Sequence, residues 1–306
     1  MQPIVVENIV MNYAVEKTVV EALKGISFTV DKGEIFGIIG PDGAGKTSLF
    51  RILTTLLLAK SGTASVDGFD VVKDYLQIRQ RVGYMPGRFS LYQDLSVQEN
   101  LEFFATIFNT TIAQNYDLIK DIYQQIEPFK TRKAGQLSGG MKQKLALCCA
   151  LIHKPTVLFL DEPTTGVDAV SRKEFWEMLH RLKEQEITIL VSTPYMDEAG
   201  LCDHVALMQK GIILSVNTPD GTIGAFKKPL WAISAKEMFR LLNAIKADPS
   251  VESCYPFGQH HHVVFKRAED GEEKLAQIAK EGKFENVEIS SIKPNIEDCF
   301  MALMKE

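Results

Sequence analysis

Ile35-Phe-Gly-Ile-Ile-Gly-Pro-Asp-Gly-Ala-Gly-Lys-Thr47 is the stretch that decides how this chain is read. Its first five residues form a short apolar run, which predicts a strand buried on both faces. Glycines then break the run, and a helical pattern is predicted over Thr47–Leu58. Gly40, Pro41, Asp42, Gly43, Ala44, Gly45, Lys46 and Thr47 fit G-x-x-x-x-G-K-[ST] between that strand and that helix. A loop of this kind wraps backbone N–H groups around phosphates, and the helix N-terminus adds its positive dipole end. Lys46 is expected to reach the outer phosphates, the Thr47 hydroxyl to ligate Mg²⁺, and Ser48 to belong to the same nucleotide-binding set.

Outward from the loop, apolar runs alternate with helical patterns as far as about residue 225. The strand Val157–Leu160 delivers Asp161 and Glu162 to its C-terminal end, where ligands of open α/β sheets bind. Asp161 suits a Mg²⁺ shell, and Glu162 suits a general base that polarises an attacking water. Ile187–Ser192 is a further strand, preceded by an amphipathic helix Ser171–Gln185 with Phe175, Met178, Leu179 and Leu182 on one side. Ile4–Glu7 and Gly25–Val30 alternate and predict an antiparallel edge. Between Val97 and Leu137 no strand signal appears, so a helical subdomain is expected over about 97–150.

Composition shifts near Lys227-Lys-Pro229. Beyond it the pattern reads strand Trp231–Ser234, helix Lys236–Ala247, strands Val251–Tyr255 and His262–Lys266, helix Glu272–Lys280, strand Val287–Ser291 and helix Ile296–Lys305. This βαββαβ order predicts a small α+β, ferredoxin-like unit. The expected division is therefore an α/β ATP-binding domain over 1–225 and an accessory domain over 226–306.

The 306 residues carry 34 Lys+Arg against 39 Asp+Glu, a net charge of −5. That balance disfavours a reader of polyanionic backbones, so no nucleic-acid partner is expected. No apolar run approaches the roughly 18–20 residues that a bilayer requires. The start lacks the pattern of a secretory signal, which together with five scattered cysteines predicts a cytosolic chain with thiols rather than disulfides. Cys148 and Cys149 are expected to be buried.

Leu137-Ser-Gly-Gly-Met-Lys-Gln143 opens a helix ahead of the Asp161 strand. Ser138 is a natural N-cap, and the two glycines leave helix-end N–H groups open to a phosphate. With this motif, the chain resembles the ATP-binding subunits of ABC transporters. The resemblance covers residues 1 to about 225 and rests on four motifs in the family's order: the phosphate loop, Leu137–Gln143, the strand Val157–Leu160 that matches the family's Walker B strand, and Asp161-Glu-Pro-Thr-Thr-Gly-Val-Asp168. It implies a P-loop NTPase fold and a head-to-tail dimer that sandwiches two ATP molecules. Each nucleotide lies between one subunit's loop and the other's Leu137, Ser138, Gly139, Gly140 and Gln143. Asp168 matches the residue that communicates across the dimer. Tyr13 matches the aromatic that stacks on adenine, although an ordinary hairpin aromatic remains the other reading. Val97–Leu137 matches the segment that docks on the membrane partner. A separate permease would carry the substrate, with this chain peripheral on the cytoplasmic face of the membrane.

Two positions depart from the family. A glutamine that ligates Mg²⁺ is expected after Val82-Gly-Tyr-Met-Pro86, where this chain has Gly87; nothing suggests that Gln93 substitutes for it. A switch histidine is expected after Ile187–Ser192, where this chain has Pro194, which offers neither an imidazole nor a backbone N–H. Locally Thr193 caps and a proline suits a first helical turn. The expectation is a site that binds ATP but hydrolyses it slowly, with an intact signature that completes the site of a second ATPase subunit. His260-His-His262 is open to two readings, a metal site or a solvated strand edge or loop, of which the second is expected.

The tail ending in Ile292-Lys-Pro-Asn-Ile-Glu-Asp-Cys-Phe300 resembles that of ABC-2-type and multidrug-efflux subunits, which implies export. Dimer contact, regulation and mere padding are open roles for it. The rival reading, a soluble ABC ATPase acting on ribosomes or DNA, predicts tandem nucleotide domains or a basic tail.

Overall fold

The computed structural model describes residues 2–15, 18–267 and 269–304, and the chain falls into two compact units, one reaching Asp220 and taking in Leu303 and Met304, the other Gly221–Ala302. In the first unit the chain opens with β1 (Ile4–Val15) and β2 (Thr18–Val30), which pair antiparallel. β3 (Ile35–Ile39) then leads into α1 (Lys46–Leu53). β4 (Ser61–Val66), β5 (Phe69–Asp70), α2 (Tyr75–Arg81) and β6 (Val82–Met85) follow. The predicted strand-poor region contains α3 (Val97–Ile107), α4 (Tyr116–Tyr123) and α5 (Gly139–Leu151), with no strand among the described residues between them. The unit continues through β7 (Val157–Asp161), α6 (Ala169–Glu184), β8 (Thr188–Thr193), β9 (His204–Gln209) and β10 (Ile212–Asn217).

Two sheets organise this unit. The larger runs in the order β10-β9-β3-β8-β7-β6; it is parallel from β9 to β6, with β10 as an antiparallel edge. Every residue of β3, β7 and β8 is buried, as unbroken apolar runs require of strands covered on both faces. The smaller antiparallel sheet, β2-β1-β4-β5, packs its alternating apolar residues into one core with α1 and the central strands. Phe50 of α1 meets Phe159 of β7 edge to face at 6.1 Å. Truncating a buried phenylalanine of this kind costs about 3–5 kcal/mol.

α1 is shorter than the sequence pattern suggests, ending at Leu53 rather than Leu58. Two consecutive threonines stop it. Thr54 turns its hydroxyl back to the Phe50 carbonyl at 2.8 Å, and Thr55 adopts φ 63°. Arg79 then holds Thr55 by its hydroxyl and carbonyl, both at 2.8 Å. α3 begins where its capping box dictates: Ser96 accepts from the Glu99 N–H, and Glu99 accepts from the Ser96 N–H.

α7 (Pro219–Ala225) precedes the second unit's strands and helices: β11 (Leu230–Ser234), α8 (Met238–Ala247), β12 (Val251–Phe257), β13 (His260–Phe265), α9 (Glu272–Glu281), β14 (Glu288–Ile292) and α10 (Ile296–Leu303). The Lys305 end expected for the last helix lies outside the described residues. The sheet order β12-β13-β11-β14, antiparallel throughout, is the ferredoxin-like arrangement. Ile233, Leu241, Ile245, Val263, Phe265 and Leu275 fill its core.

Of the histidine triplet only His260 is exposed; His261 and His262 do not form a solvated edge. β13 is an inner strand, and His261 and His262 are 4 % and 6 % exposed. His262 Nδ1 bonds Asp298 of α10 at 2.7 Å, and His261 bonds the Met238 carbonyl at 2.7 Å. The expectation failed because it weighed the polarity of the side chains without the partners that satisfy them. Among the described residues no cluster of metal-ligating side chains forms.

Candidate nucleotide site

β3 carries Gly40 to the C-terminal edge of the large sheet, and the loop turns there into α1. Gly40 has no room for a side chain, since a Cβ would lie 2.0 Å from the Met208 carbonyl oxygen. Gly45, the N-cap of α1, takes φ 106°, which an L side chain rarely adopts. These two glycines let the loop fold close against β9 and deliver Lys46 inward. Lys46 is 3 % exposed; its ammonium donates to the Gly40 and Pro41 carbonyls at 2.7 and 3.1 Å and pairs with Glu162 at 3.1 Å. The loop and the end of β7, far apart in sequence, therefore form one site.

A cleft of about 460 Å³ lies over the loop, lined by Asp42 to Ser48, Val20, Glu21, Ala22, Lys24, Glu162 and Lys210. That volume suits a small-molecule ligand. Lys24 and Lys210 give its rim positive charge, and sequence reasoning had not singled them out because neither belongs to a motif. Tyr13 does not line the cleft. It is half-buried against the core, its hydroxyl 3.0 Å from Ser48 Oγ, and it pairs across the β1–β2 ladder with Val20, which does line the cleft.

Asp161 and Glu162 stand at the end of β7. Asp161 is 2 % exposed and accepts from Ser192 Oγ at 2.6 Å. Glu162 adopts φ 51°, and its N–H donates to both the carbonyl and the hydroxyl of Ser192, at 3.0 and 3.1 Å. Nearby Tyr84 is pushed up to about 12 by burial and by the Asp161 charge. Thr47 and Asp161 together offer a hydroxyl and a carboxylate, hard oxygen donors of the kind Mg²⁺ selects. Gly87 bears on the same place: a Cβ built on it lies 3.0 Å from the Asp161 carbonyl oxygen and 3.8 Å from Asp161 Oδ2. A side chain at position 87 would thus start beside the Asp161 carboxylate, and this chain supplies none. The residues fit a divalent cation with one protein ligand fewer.

Gln93 does not replace it. Its side chain is exposed and lies beside Gly135, and its carbonyl accepts the Gly135 N–H at 2.9 Å. Pro194 follows β8 but is outside the next helical turn, Met196–Leu201, whose N-cap is Tyr195. Thr193 Oγ1 accepts the Tyr195 N–H at 3.0 Å, a local turn rather than the helix cap expected. His204 does not reach the site either, since it pairs with Glu34 at 2.7 Å at the opposite end of β3 and β9.

The Leu137–Gln143 motif forms the start of α5. Leu137 is buried and anchors the segment, Ser138 caps the helix by accepting the Met141 N–H at 3.3 Å, and Gly139 is exposed. Gly140 packs against Ser171 of α6, where a Cβ would meet Ser171 Oγ at 2.8 Å. Gln143 is half-buried. Asp168 caps α6, and hydrogen bonds from Ser171, with one from Val170, hold its carboxyl below the usual 3.8. All five cysteines are buried free thiols.

Strand-end carboxylates facing a glycine loop that grips a lysine define a P-loop nucleotide hydrolase fold. Residues 23–165 match the ABC transporter family. The chain is 37% identical over 287 residues to the probable multidrug ABC transporter ATP-binding protein YbhF of Escherichia coli, covering 92% of this chain and 49% of the relative. It is 32% identical over 294 residues to the daunorubicin resistance ATP-binding protein DrrA2 of Streptomyces coeruleorubidus, covering 92% and 90% respectively. The structure of CbiO1 from Clostridium perfringens, part of the ABC transporter complex cbiONQ, superposes with a TM-score of 0.64 at 27% identity, over 73% of this chain and 91% of that one. The chain belongs to the ATP-binding proteins of the ABC transporter family. It spans about half the length of the YbhF relatives it matches.

Proposed function

We propose that this chain is the ATP-binding and ATP-hydrolysing motor subunit of an exporter, working on the cytoplasmic face of a membrane through a separate permease. The single observation that carries this reading is the Lys46–Glu162 contact at 3.1 Å, which joins the phosphate loop to the catalytic end of β7 in one site. No helix among the described residues is long and apolar enough to cross a membrane. The multidrug and daunorubicin-resistance names of its relatives support export.

In this reading the loop amides bind the nucleotide phosphates, and Lys46 leaves the Gly40 and Pro41 carbonyls for the outer phosphate oxygens. Val20, with Tyr13 behind it, receives the adenine. Thr47 and Asp161 hold Mg²⁺, which when bound neutralises charge on the phosphates. Glu162, released from Lys46, accepts a proton from the attacking water. Ser138, Gly139 and Gly140 present the amides of the α5 N-terminus, with Leu137 and Gln143 beside them, to the nucleotide of a second ATPase subunit; Asp168 lies at the same face of the pair. Gly87 and Pro194 withhold two side chains from the hydrolytic end of the site, so this subunit's own site turns over slowly and a partner's site does the faster work. An apolar groove lined by Leu56, Tyr84, Leu91, Phe104 and Phe108, between α3 and the β6 edge, suits a helix of the permease. The unit from Gly221 to Ala302 is an accessory domain.

Affinity purification of the full chain from native membranes, with identification of attached polypeptides, tests the assignment. A multi-spanning protein retained with the chain, and ATPase activity in the complex, are expected. Recovery without any membrane protein refutes the exporter reading in favour of a soluble ATPase.

A further inference from the structure

Ser192, the penultimate residue of β8, lies directly across the parallel ladder from Asp161. It is fully buried, at 0 % exposure. Its one hydroxyl proton goes to Asp161 Oδ1 at 2.6 Å, while the same oxygen accepts the Glu162 N–H at 3.1 Å. Its carbonyl accepts that N–H as well, at 3.0 Å. One residue therefore grips both carboxylate-bearing residues, one through its side chain and the other through its backbone.

The grip falls where the chain needs it. Glu162 holds φ 51° without being glycine. Such a conformation costs on the order of 1–2 kcal/mol and persists only where the surroundings enforce it. The paired acceptors of Ser192 supply that enforcement. The next residue extends the tie, since the Thr193 carbonyl accepts the Gly40 N–H of the phosphate loop at 3.2 Å. Past that point Pro194 offers no imidazole, so among the described residues the side-chain hydrogen bond to Asp161 comes from Ser192.

We infer that Ser192 is a positioning residue that fixes the Asp161 carboxylate for the divalent cation and holds Glu162 in its left-handed conformation. The inference rests on the assignment of Asp161 to the metal. With Oδ1 occupied by the serine proton, the carboxylate cannot rotate freely and Oδ2 is left to the cation. Hydrogen-bond partners of this outer kind change metal affinity by about 10- to 100-fold when removed.

The test compares the full chain with Ser192→Ala, Ser192→Cys and Ser192→Thr. Free Mn²⁺ is followed by electron paramagnetic resonance while each protein is titrated in the presence of a non-hydrolysable ATP analogue. Binding of a fluorescent ATP in EDTA is measured in parallel, and thermal melting checks the fold. Ser192→Ala and Ser192→Cys are expected to weaken Mn²⁺ binding by about 10- to 100-fold, with metal-free nucleotide affinity unchanged. Ser192→Thr, which keeps the hydroxyl, is expected to retain most of the Mn²⁺ affinity. Cysteine keeps the volume but donates weakly, so it carries the comparison if the alanine variant does not fold. Wild-type Mn²⁺ affinity in Ser192→Ala or Ser192→Cys overturns the inference. So does a threonine variant as weak as alanine, which would make shape rather than the hydroxyl responsible. A wild-type chain that binds the analogue but no Mn²⁺ refutes the metal assignment of Asp161 itself, and a chain that binds no nucleotide refutes the proposed function; either result takes the inference with it.

Discussion

Replacing Pro194 by histidine tests whether this position limits the site, as the proposed function requires. The Thr193 carbonyl is bonded to the Gly40 N–H at 3.2 Å, which locks the end of β8 onto the phosphate loop. Residue 194 comes immediately after that lock and two residues after the Ser192–Asp161 pair. By the family resemblance a histidine there would reach the outer phosphate, whereas proline brings neither a proton donor nor an N–H. One oriented donor to developing charge is worth about 10²–10³ in rate. Gly87 still lacks its side chain, and residues acting as a unit are not additive, so the expected gain is the smaller one of about 10- to 100-fold. The fixed φ of proline is lost at the same time, at about 0.4–1 kcal/mol of stability. The assay is single-turnover phosphate release by the full chain at saturating ATP, with nucleotide affinity measured separately on a Glu162→Gln background. A Pro194→His variant that binds ATP normally, melts near the wild type and still turns over within about twofold of it refutes the argument. So does a wild-type chain that already turns over near the enzyme median of about 10 per second.

Glu162→Gln is expected to abolish hydrolysis while tightening ATP binding, because the Lys46–Glu162 ion pair at 3.1 Å must open before Lys46 can meet a phosphate; weaker equilibrium binding of a fluorescent ATP by this variant contradicts that order of events. In the second unit, burial alone would raise Asp298, but hydrogen bonds from His262, the Asn295 backbone and Tyr255 outweigh it and hold the carboxyl below its ordinary 3.8. A carboxyl lowered by folding stabilises the fold above its unfolded value, and that contribution is lost as pH falls through the folded value. Melting followed from about pH 5 downward is expected to show this loss in the wild type and a flatter profile in Asp298→Asn; parallel profiles contradict it.

The strands that carry the site were legible because they are buried on both faces. β3, β7 and β8 read as unbroken apolar runs, and no helical period competes with them. The phosphate loop, Asp161, Glu162 and the start of α5 were legible for another reason: their chemistry depends on neighbours close in sequence. Where structure depends on distant partners the sequence was silent. α1 stops early because Arg79 captures Thr55. His262 is buried because Asp298 on α10 meets it. Ser192 gives no signal at all, since its importance comes from facing Asp161 across a ladder that is set by sheet order. The short strands β4, β5 and β10 also lacked a pattern strong enough to separate them from loops.

The two departures from the family also acquire a common meaning from the sheet. Its order sets β7 between β8 and β6. Pro194 follows β8 and Gly87 follows β6, so the missing side chains flank Asp161 and Glu162 from either side. The groups that bind nucleotide phosphates stand elsewhere, on the loop between β3 and α1, where Gly40, Gly45 and the buried Lys46 keep their geometry. Under the proposed function, loss at the flanks would act on the metal and the attacking water and spare the grip on the phosphates. In the proposed dimer, the binding energy for closure would come from that grip and from the α5 N-terminus, whose residues are all present. Under the proposed function, a subunit built this way would hold ATP, and so a closed dimer, for much longer than a complete site takes to turn over.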